Sequence, residues 1–473
     1  MLRWMVVSFH PKTLPPMLRR NYLLELWAWW FLPIMLAAVE GGAIGNIVKK
    51  AFTNVPGVPE SELNFSVAVV VAAPSIASIT SFIWAWLSHA KVKVRFIVGL
   101  QVATAIFVGM IGLASQSRGG LWFLVAAVIA SRICWTGVIT LRSAIWGANY
   151  PRADRARIAG KLSTIFHLVM APVGILIGLA MDWNESSFHW LFPITAALGL
   201  VGVAIYRGVR LRGQKRLMRA ERNTSSRERP SLNPLSIYRV LADDPLYRRY
   251  MACMFVFGLG NLMITAPLAI VLHEVFSVDY TRGILITTVI PSVLMPMSIP
   301  FWSRLIVRCH VIDFRAIHAW SFVSASLLFW LGVMLHRIEL LLVASAITGI
   351  ANGGGFLAWN LGHHDFAPAH RDSQYMGVHV TLTGIRGIIA PIAGVGLYEW
   401  FSALGAAGHT TDELVAAAQF GGSWVFAVTF TLNAAGGIGF VLLSRRAGGT
   451  ARHGAVRARA AEGATLPAGR PPN

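Results

Sequence analysis

The chain has 473 residues, 55% of them apolar and only 13% charged, and carries a net charge of +20. A mean hydropathy of +0.59 excludes an ordinary soluble enzyme and describes a polypeptide whose main solvent is lipid. The charge alone would admit a nucleic-acid partner, but its distribution along the chain, described below, removes the need for one.

The first 21 residues, MLRWMVVSFHPKTLPPMLRRN, hold too short an apolar run for a signal peptide and no small-residue cleavage site, so the first helix itself is expected to direct insertion. A crossing helix needs roughly 20 apolar residues, because the hydrocarbon core is about 30 Å thick and the rise is about 1.5 Å per residue. Segments of that kind fall near 22–48, 65–88, 94–114, 121–147, 157–181 and 188–206. A second six fall near 247–272, 283–303, 314–335, 338–361, 374–400 and 421–444. The predicted fold class is therefore all-α with 12 transmembrane helices: a bundle over 1–206, a basic linker over 207–246, a second bundle over 247–446 and a disordered tail over 447–473. Asp243, Asp244 and Pro245 form a cap-then-proline start for the seventh helix. Of the 41 Lys and Arg, 33 fall in segments on the side of the N-terminus and 5 on the other. Loops retained in the cytoplasm carry such an excess, which places both termini in the cytoplasm of a cell whose inner membrane the chain spans. Anionic lipid headgroups are the further partner that the surplus charge implies.

The two halves repeat. Pro151 and Gly160 follow the fourth helix with the same spacing as Pro368 and Gly377 after the tenth, an offset of 217 residues for both. Ala171-Pro172 in the fifth helix and Ala390-Pro391 in the eleventh are offset by 219, and each series is preceded by a Trp, Trp146 and Trp359. Parallel repeats of six helices are a transporter architecture.

With twelve helices, duplicated halves and a basic central linker, the chain resembles the major facilitator superfamily from residue 22 to 445. The family's loop between helices two and three carries a Gly, an Asp and basic residues. Here it reads AWLSHAKVKVR, with Ala85 for the Gly, His89 for the Asp and Lys93 at a basic position. YPRADRARIAG after the fourth helix is similar to the corresponding family loop, with Arg155 retained and Ala156 in place of Gly. The resemblance implies a cytoplasmic gate built from His89, Lys93, Asp154, Arg155 and Asp365. Within the superfamily, Arg132, Gly137 and APIAGVG of the eleventh helix resemble elements of proton-coupled antiporters, and APVGILIG of the fifth is a poorer copy.

Ionisable groups at bilayer depth are costly and are retained mainly where they face a cavity or a partner. Glu40 lies about 21 Å from the cytoplasmic start of helix one and Arg132 about 20 Å from the cytoplasmic end of helix four, at 1.5 Å per residue. Equal depth makes them candidate partners, either as a proton-coupling pair or as a static pair locking two helices. His167 and Arg386 each stand four residues before their Ala-Pro, at equivalent places in the repeat. A histidine there can carry a proton or be hydrogen-bonded structure. Arg142, nearer a helix end, is expected to snorkel, Glu399 likewise on the outer side, and Trp27–Phe31 to form an interfacial belt.

For the substrate cavity the candidates are Asn261, beside Gly258 and Gly260, and the tenth-helix run Asn352, Gly353, Gly354, Gly355, Trp359 and Asn360. Glycines there either permit bending at a transport site or let helices pack tightly. His363, His364, Asp365 and His370 include metal-ligand types without a helical i, i+4 ligand pair, so no metal is expected. Cys134, Cys253 and Cys309 offer no disulfide framework. There is no phosphate-cradling GxxxxGK[ST] and no nucleophile–base set, so neither a cofactor nor an enzymatic activity is expected. The expectation is a monomeric secondary active transporter of a small organic solute, working by alternating access with proton-coupled export. A proton-coupled uptake symporter and a non-transporting assembly or sensor protein of the same fold are the alternatives.

The split of basic residues makes the first testable prediction. A reporter fused within the central linker or at the C-terminus should read cytoplasmic and one at Ser61 external; an external linker would overturn the orientation.

Overall fold

The structure, a computed structural model, describes residues 9–223, 240–306, 308–367, 372–406 and 414–447. Among these residues there is no strand, and 12 helices are long and apolar enough to cross a membrane. In chain order they are α1 (Pro16–Phe52), α2 (Glu60–Ile79), α3 (Lys93–Ile111), α4 (Arg118–Asn149), α5 (Arg152–Trp183) and α6 (Phe188–Tyr206). The second six are α7 (Pro245–Glu274), α8 (Tyr280–Ile306), α9 (Val311–Met334), α10 (Ile338–Leu361), α11 (Asp372–Ala406) and α12 (Leu414–Ala447). The C-terminal tail, most of the later linker and His370 lie outside the described residues.

Several spans are discontinuous. α1 is built from Pro16–Ala37 and Gly41–Phe52, and α7 from Pro245–Met263 and Thr265–Glu274. α2 bends at Thr80 and continues as Ser81–Leu87, and α8 contains a π-helical turn over Leu285–Val289. The start signal for α7 is realised as expected: the Asp244 carboxylate accepts from the amides of Leu246 and Tyr247, and Pro245 occupies the first turn.

α1 packs on α5 and α6, and α3 on α4 and α6; in the second half α8 packs on α10, and α12 on α7, α9 and α11. The halves meet along two long seams, α2 with α11 and α5 with α8, which the repeat makes equivalent, and where the end of α1 touches α7 and α8. Small residues set these distances. A Cβ on Gly387 of α11 would come within 2.0 Å of the Ser75 hydroxyl, and one on Gly178 of α5 within 2.7 Å of the Thr281 Cα.

The face away from the described termini, called distal here, is sealed between the halves. Lys49 at the end of α1, 1% exposed, donates to Asn64 at 2.7 Å and pairs with Glu60 at 3.3 Å and with Glu274 of α7. The Tyr398 phenol donates to the same Glu274 carboxylate. Lys50 donates to the Val278 carbonyl at 3.2 Å and lies 4.2 Å from the centre of the Tyr280 ring. Asp182 of α5 caps α8, accepting from the amides of Tyr280 and Thr281 at 2.6 and 2.8 Å. By sequence position Lys49 is an ordinary outer-loop cation; its burial follows from the carboxylates that α2 and α7 bring round it.

Removing one partner from a buried ion pair leaves an uncompensated charge that costs about 3–5 kcal/mol. Lys49→Ala should therefore lower the thermal midpoint of the purified protein and weaken the distal seal. A cysteine at Thr281 should become more reactive toward a membrane-impermeant thiol reagent in that variant, and unchanged reactivity would contradict the seal.

Candidate functional site: a broken helix, a paired arginine and a basic cavity

The interruption of α1 at Ala38–Glu40 is a problem for a chain in lipid, since a backbone carbonyl freed there has no water to bond. Arg132, projecting from α4 and only 6% exposed, answers it. Its Nε donates to the Val39 carbonyl at 3.1 Å, its Nη2 donates to the same oxygen, and Nη2 also reaches Glu40 Oε2 at 2.9 Å. One guanidinium thus satisfies the broken helix and neutralises the carboxylate beside it. The Glu40 side chain is 38% exposed, so the acid is open to exchange while its partner is buried. His167 of α5 stands within the electrostatic reach of Glu40, and its Nδ1 is buried without a hydrogen-bond partner. The structure therefore brings Glu40 and Arg132 together, with His167 near enough to feel the Glu40 charge.

Arg386 belongs to a different group. It lines a cavity of about 490 Å³ enclosed by α7 to α11, together with Asn261, Asn352, Gly355, Trp359 and Arg315. Its Nη1 donates to the Met254 carbonyl of α7 and its Nη2 to the Thr383 hydroxyl at 3.1 Å. Gly258 is needed opposite it, because a Cβ there would sit 2.4 Å from the guanidinium carbon. Arg315 of α9 contacts His318 Nδ1 at 3.3 Å, and His318 Nε2 meets the Ala351 carbonyl at 2.8 Å. A carbonyl can only accept, so Nε2 carries the proton and Nδ1 accepts from Arg315.

Of the expected cavity residues, Asn261, Asn352, Gly355 and Trp359 line the space, and the others are corrected. Gly353 faces α8, where a Cβ would lie 2.1 Å from the Ser298 hydroxyl, and Gly354 faces α9, where it would lie 2.3 Å from His318 Cδ2. They are packing positions, because α8 and α9 press against α10 there. Asn360 donates to the Phe356 carbonyl at 2.8 Å within its own helix. Arg142 does not snorkel: it lies 4.6 Å from the ring centres of both Trp29 and Trp146. Trp146 in turn donates to the buried Glu25 at 2.7 Å. Trp29 is therefore core, while Trp27 and Trp30 are exposed.

The gate residues divide. The linker is not structureless: Gln214–Asn223 form a helix held to the first half. Its Glu221 accepts from the Ala90 amide at 2.7 Å and pairs with Lys93 at 2.9 Å, and its backbone carbonyl meets His89 Nε2 at 2.9 Å. The linker thus delivers the carboxylate that the α2–α3 loop lacks at His89. Asp365 accepts from the Val311 amide at 2.7 Å and so caps α9 within its own half. Asp154 lies half-buried in the first turn of α5, and the side chains of Arg155 and His364 lie outside the described residues. Among the described residues no group of three or more His, Cys, Asp or Glu could hold a metal.

Three participants escape a reading of the sequence. Arg315 is the second residue of the span expected over 314–335 and so counts with the cations of the preceding loop, Glu25 stands inconspicuously at a helix entry, and Glu221 acts on residues 128 or more positions away. Only Arg315 left a signal, its spacing of three from His318 on one helix face.

The sequence profile of the Major Facilitator Superfamily matches residues 21–391. The chain belongs to that superfamily. Among solved structures it is similar to a point mutant of a nucleoside transporter, NupG, with a TM-score of 0.67 at 12% identity over 89% of this chain and 100% of that one. A D-xylose–proton symporter matches with a TM-score of 0.66 at 12% identity, covering 90% and 97% of the two chains. A bacterial homolog of the human lysosomal transporter Spinster, inward-facing and unoccupied, matches at 0.62 with 13% identity over 91% and 98%. At these identities the likeness shows the fold alone. No curated protein matches in sequence.

The docking of Glu221 makes a local prediction. Glu221→Ala should abolish hydrogen-exchange protection of the linker helix and of residues 88–93 while the membrane helices keep theirs. Retained protection of both segments would show that the ion pair does not hold the helix.

Proposed function

We propose that this superfamily member is a secondary active transporter that carries a small organic solute between its two halves by alternating access, with Glu40 as the proton-coupling group and net export as the direction. In this reading it resides in the cytoplasmic membrane with both termini inside, which the distribution of basic residues supports. The observation that carries the reading is the shared use of Arg132 by the Val39 carbonyl and the Glu40 carboxylate. Protonating Glu40 removes the ionic contact and leaves the carbonyl bond, so the bend in α1 is held less firmly in one protonation state than in the other. α1 also carries Lys49 and Lys50 of the distal seal, so a change at its bend reaches that seal along one helix. With the termini inside, the sealed distal face corresponds to an inward-facing state. In this reading His167, which feels the Glu40 charge, exchanges the proton with it. Uptake by symport is the second reading; a D-xylose–proton symporter is among the proteins that share this fold.

Glu40→Gln keeps the shape and some hydrogen bonding but cannot titrate. In proteoliposomes the variant should lose gradient-driven accumulation while retaining solute exchange. Arg132→Ala should be harsher, because it strands both the carboxylate and the Val39 carbonyl; each orphaned group costs about 1–3 kcal/mol or more. Normal gradient-driven accumulation by the Gln variant would refute the assignment of Glu40.

A further inference from the structure

The cavity in the second half has two positive charges and no negative one. Arg315 and Arg386 are 3% and 6% exposed, and both line it. Among the described residues neither takes part in an ion pair. The ionisable groups close enough to act on Arg386 are Arg315, Tyr250 and His379, and none of them is an acid. The hydrogen-bond partners they do have, a main-chain carbonyl, a hydroxyl and an imidazole, are neutral acceptors. The Nε of each guanidinium is buried without a partner. His379, also buried, stands within reach of both arginines and has an unbonded Nε2. Asp365, an acid that reaches Tyr250, is held by the Val311 amide.

Two like charges so placed repel one another and have given up their water, which is costly unless an anion completes the group. Guanidinium forks match carboxylate and phosphate oxygens in geometry and charge. Most of the rest of the wall is apolar, with the rings of Phe257, Phe322, Phe356 and Trp359, and the amides of Asn261 and Asn352 and a few hydroxyls interrupt it. A volume of about 490 Å³ falls in the range of small-molecule sites. We propose that this cavity is the substrate site and that its ligand is an amphipathic organic anion, a single carboxylate or phosphate group on an apolar or aromatic body, held by Arg315 and Arg386. The assignment rests on the transport reading and names its substrate class. Asn261, whose buried Oδ1 lacks a partner on the same wall, would meet a donor on the body of the ligand.

The test is calorimetric binding to the full chain in nanodiscs of zwitterionic phosphatidylcholine, with benzoate and phenyl phosphate as probes, and benzyl alcohol and benzylamine as neutral and cationic counterparts. At least one of the anions should bind and the counterparts should not. Arg315→Ala and Arg386→Ala should each weaken that binding at least about tenfold, as expected for loss of a charge-assisted hydrogen bond. Arg386→Lys should recover part of it, and Arg308→Ala, the same charge change on the loop before α9, should leave it unchanged. Binding of neither anion, equal binding of the neutral or cationic counterpart, or undiminished binding in both alanine variants would overturn the proposal. Loss of benzoate binding on adding phosphatidylglycerol would identify the occupant as a lipid and overturn the assignment to a transported solute. Flux of a neutral solute without anion binding would sink this inference and leave the transport reading standing; anion binding without flux of any solute would do the opposite.

Discussion

The arrangement of the first half depends on how a helix can be broken inside a membrane. Lipid offers nothing to a carbonyl that has lost its helical partner, so the break in α1 requires a donor from another helix, and Arg132 of α4 provides it. An unpaired arginine at that depth would be costly in its own right, and the same is true of an ionised Glu40. The three groups answer one another's costs. Each alone would be a defect, and together they join a backbone bend to a titratable side chain.

From that bend α1 continues to the distal seal. Lys49 and Lys50 stand at its far end, where they bind carboxylates of α2 and α7 and a carbonyl next to α8. The seams of α2 with α11 and α5 with α8 bring the halves into close contact, set by glycines that admit a neighbouring side chain or backbone. The second half contributes a cavity beside the break in α7, and the charge of that cavity is wholly basic. Chemistry is thus divided: an acid with its arginine in one half, two arginines without an acid in the other.

Much of this was legible in the sequence, for physical reasons. A bilayer imposes helix lengths on the chain, so the spans could be counted, and burial of charge is rare enough that Glu40 and Arg132 stood out and their depths could be matched. What depended on packing was less visible. Gly353, Gly354 and Gly355 look alike in sequence, yet two of them meet neighbouring helices and one meets the cavity, because a helix turns by about 100° per residue. Arg315 looked like a loop cation because it lies near a helix end, where long side chains commonly escape to water. Instead it turns inward among Tyr250, His318 and Arg386. Glu221 left no signal at all, since a single acid in a basic linker says nothing of the loop it will meet.

The central claim, that the protonation state of Glu40 is linked to the distal seal through α1, is tested most directly by a distance across that seal. Spin labels at Asn54 and Arg282, on opposite halves of the distal face, would report it by pulsed electron resonance as pH is lowered. The account predicts that acidification adds a population with longer separation in the otherwise unmodified protein, and that Glu40→Gln abolishes the dependence. A distance distribution that does not change with pH, or one that changes identically in the Gln variant, would contradict it.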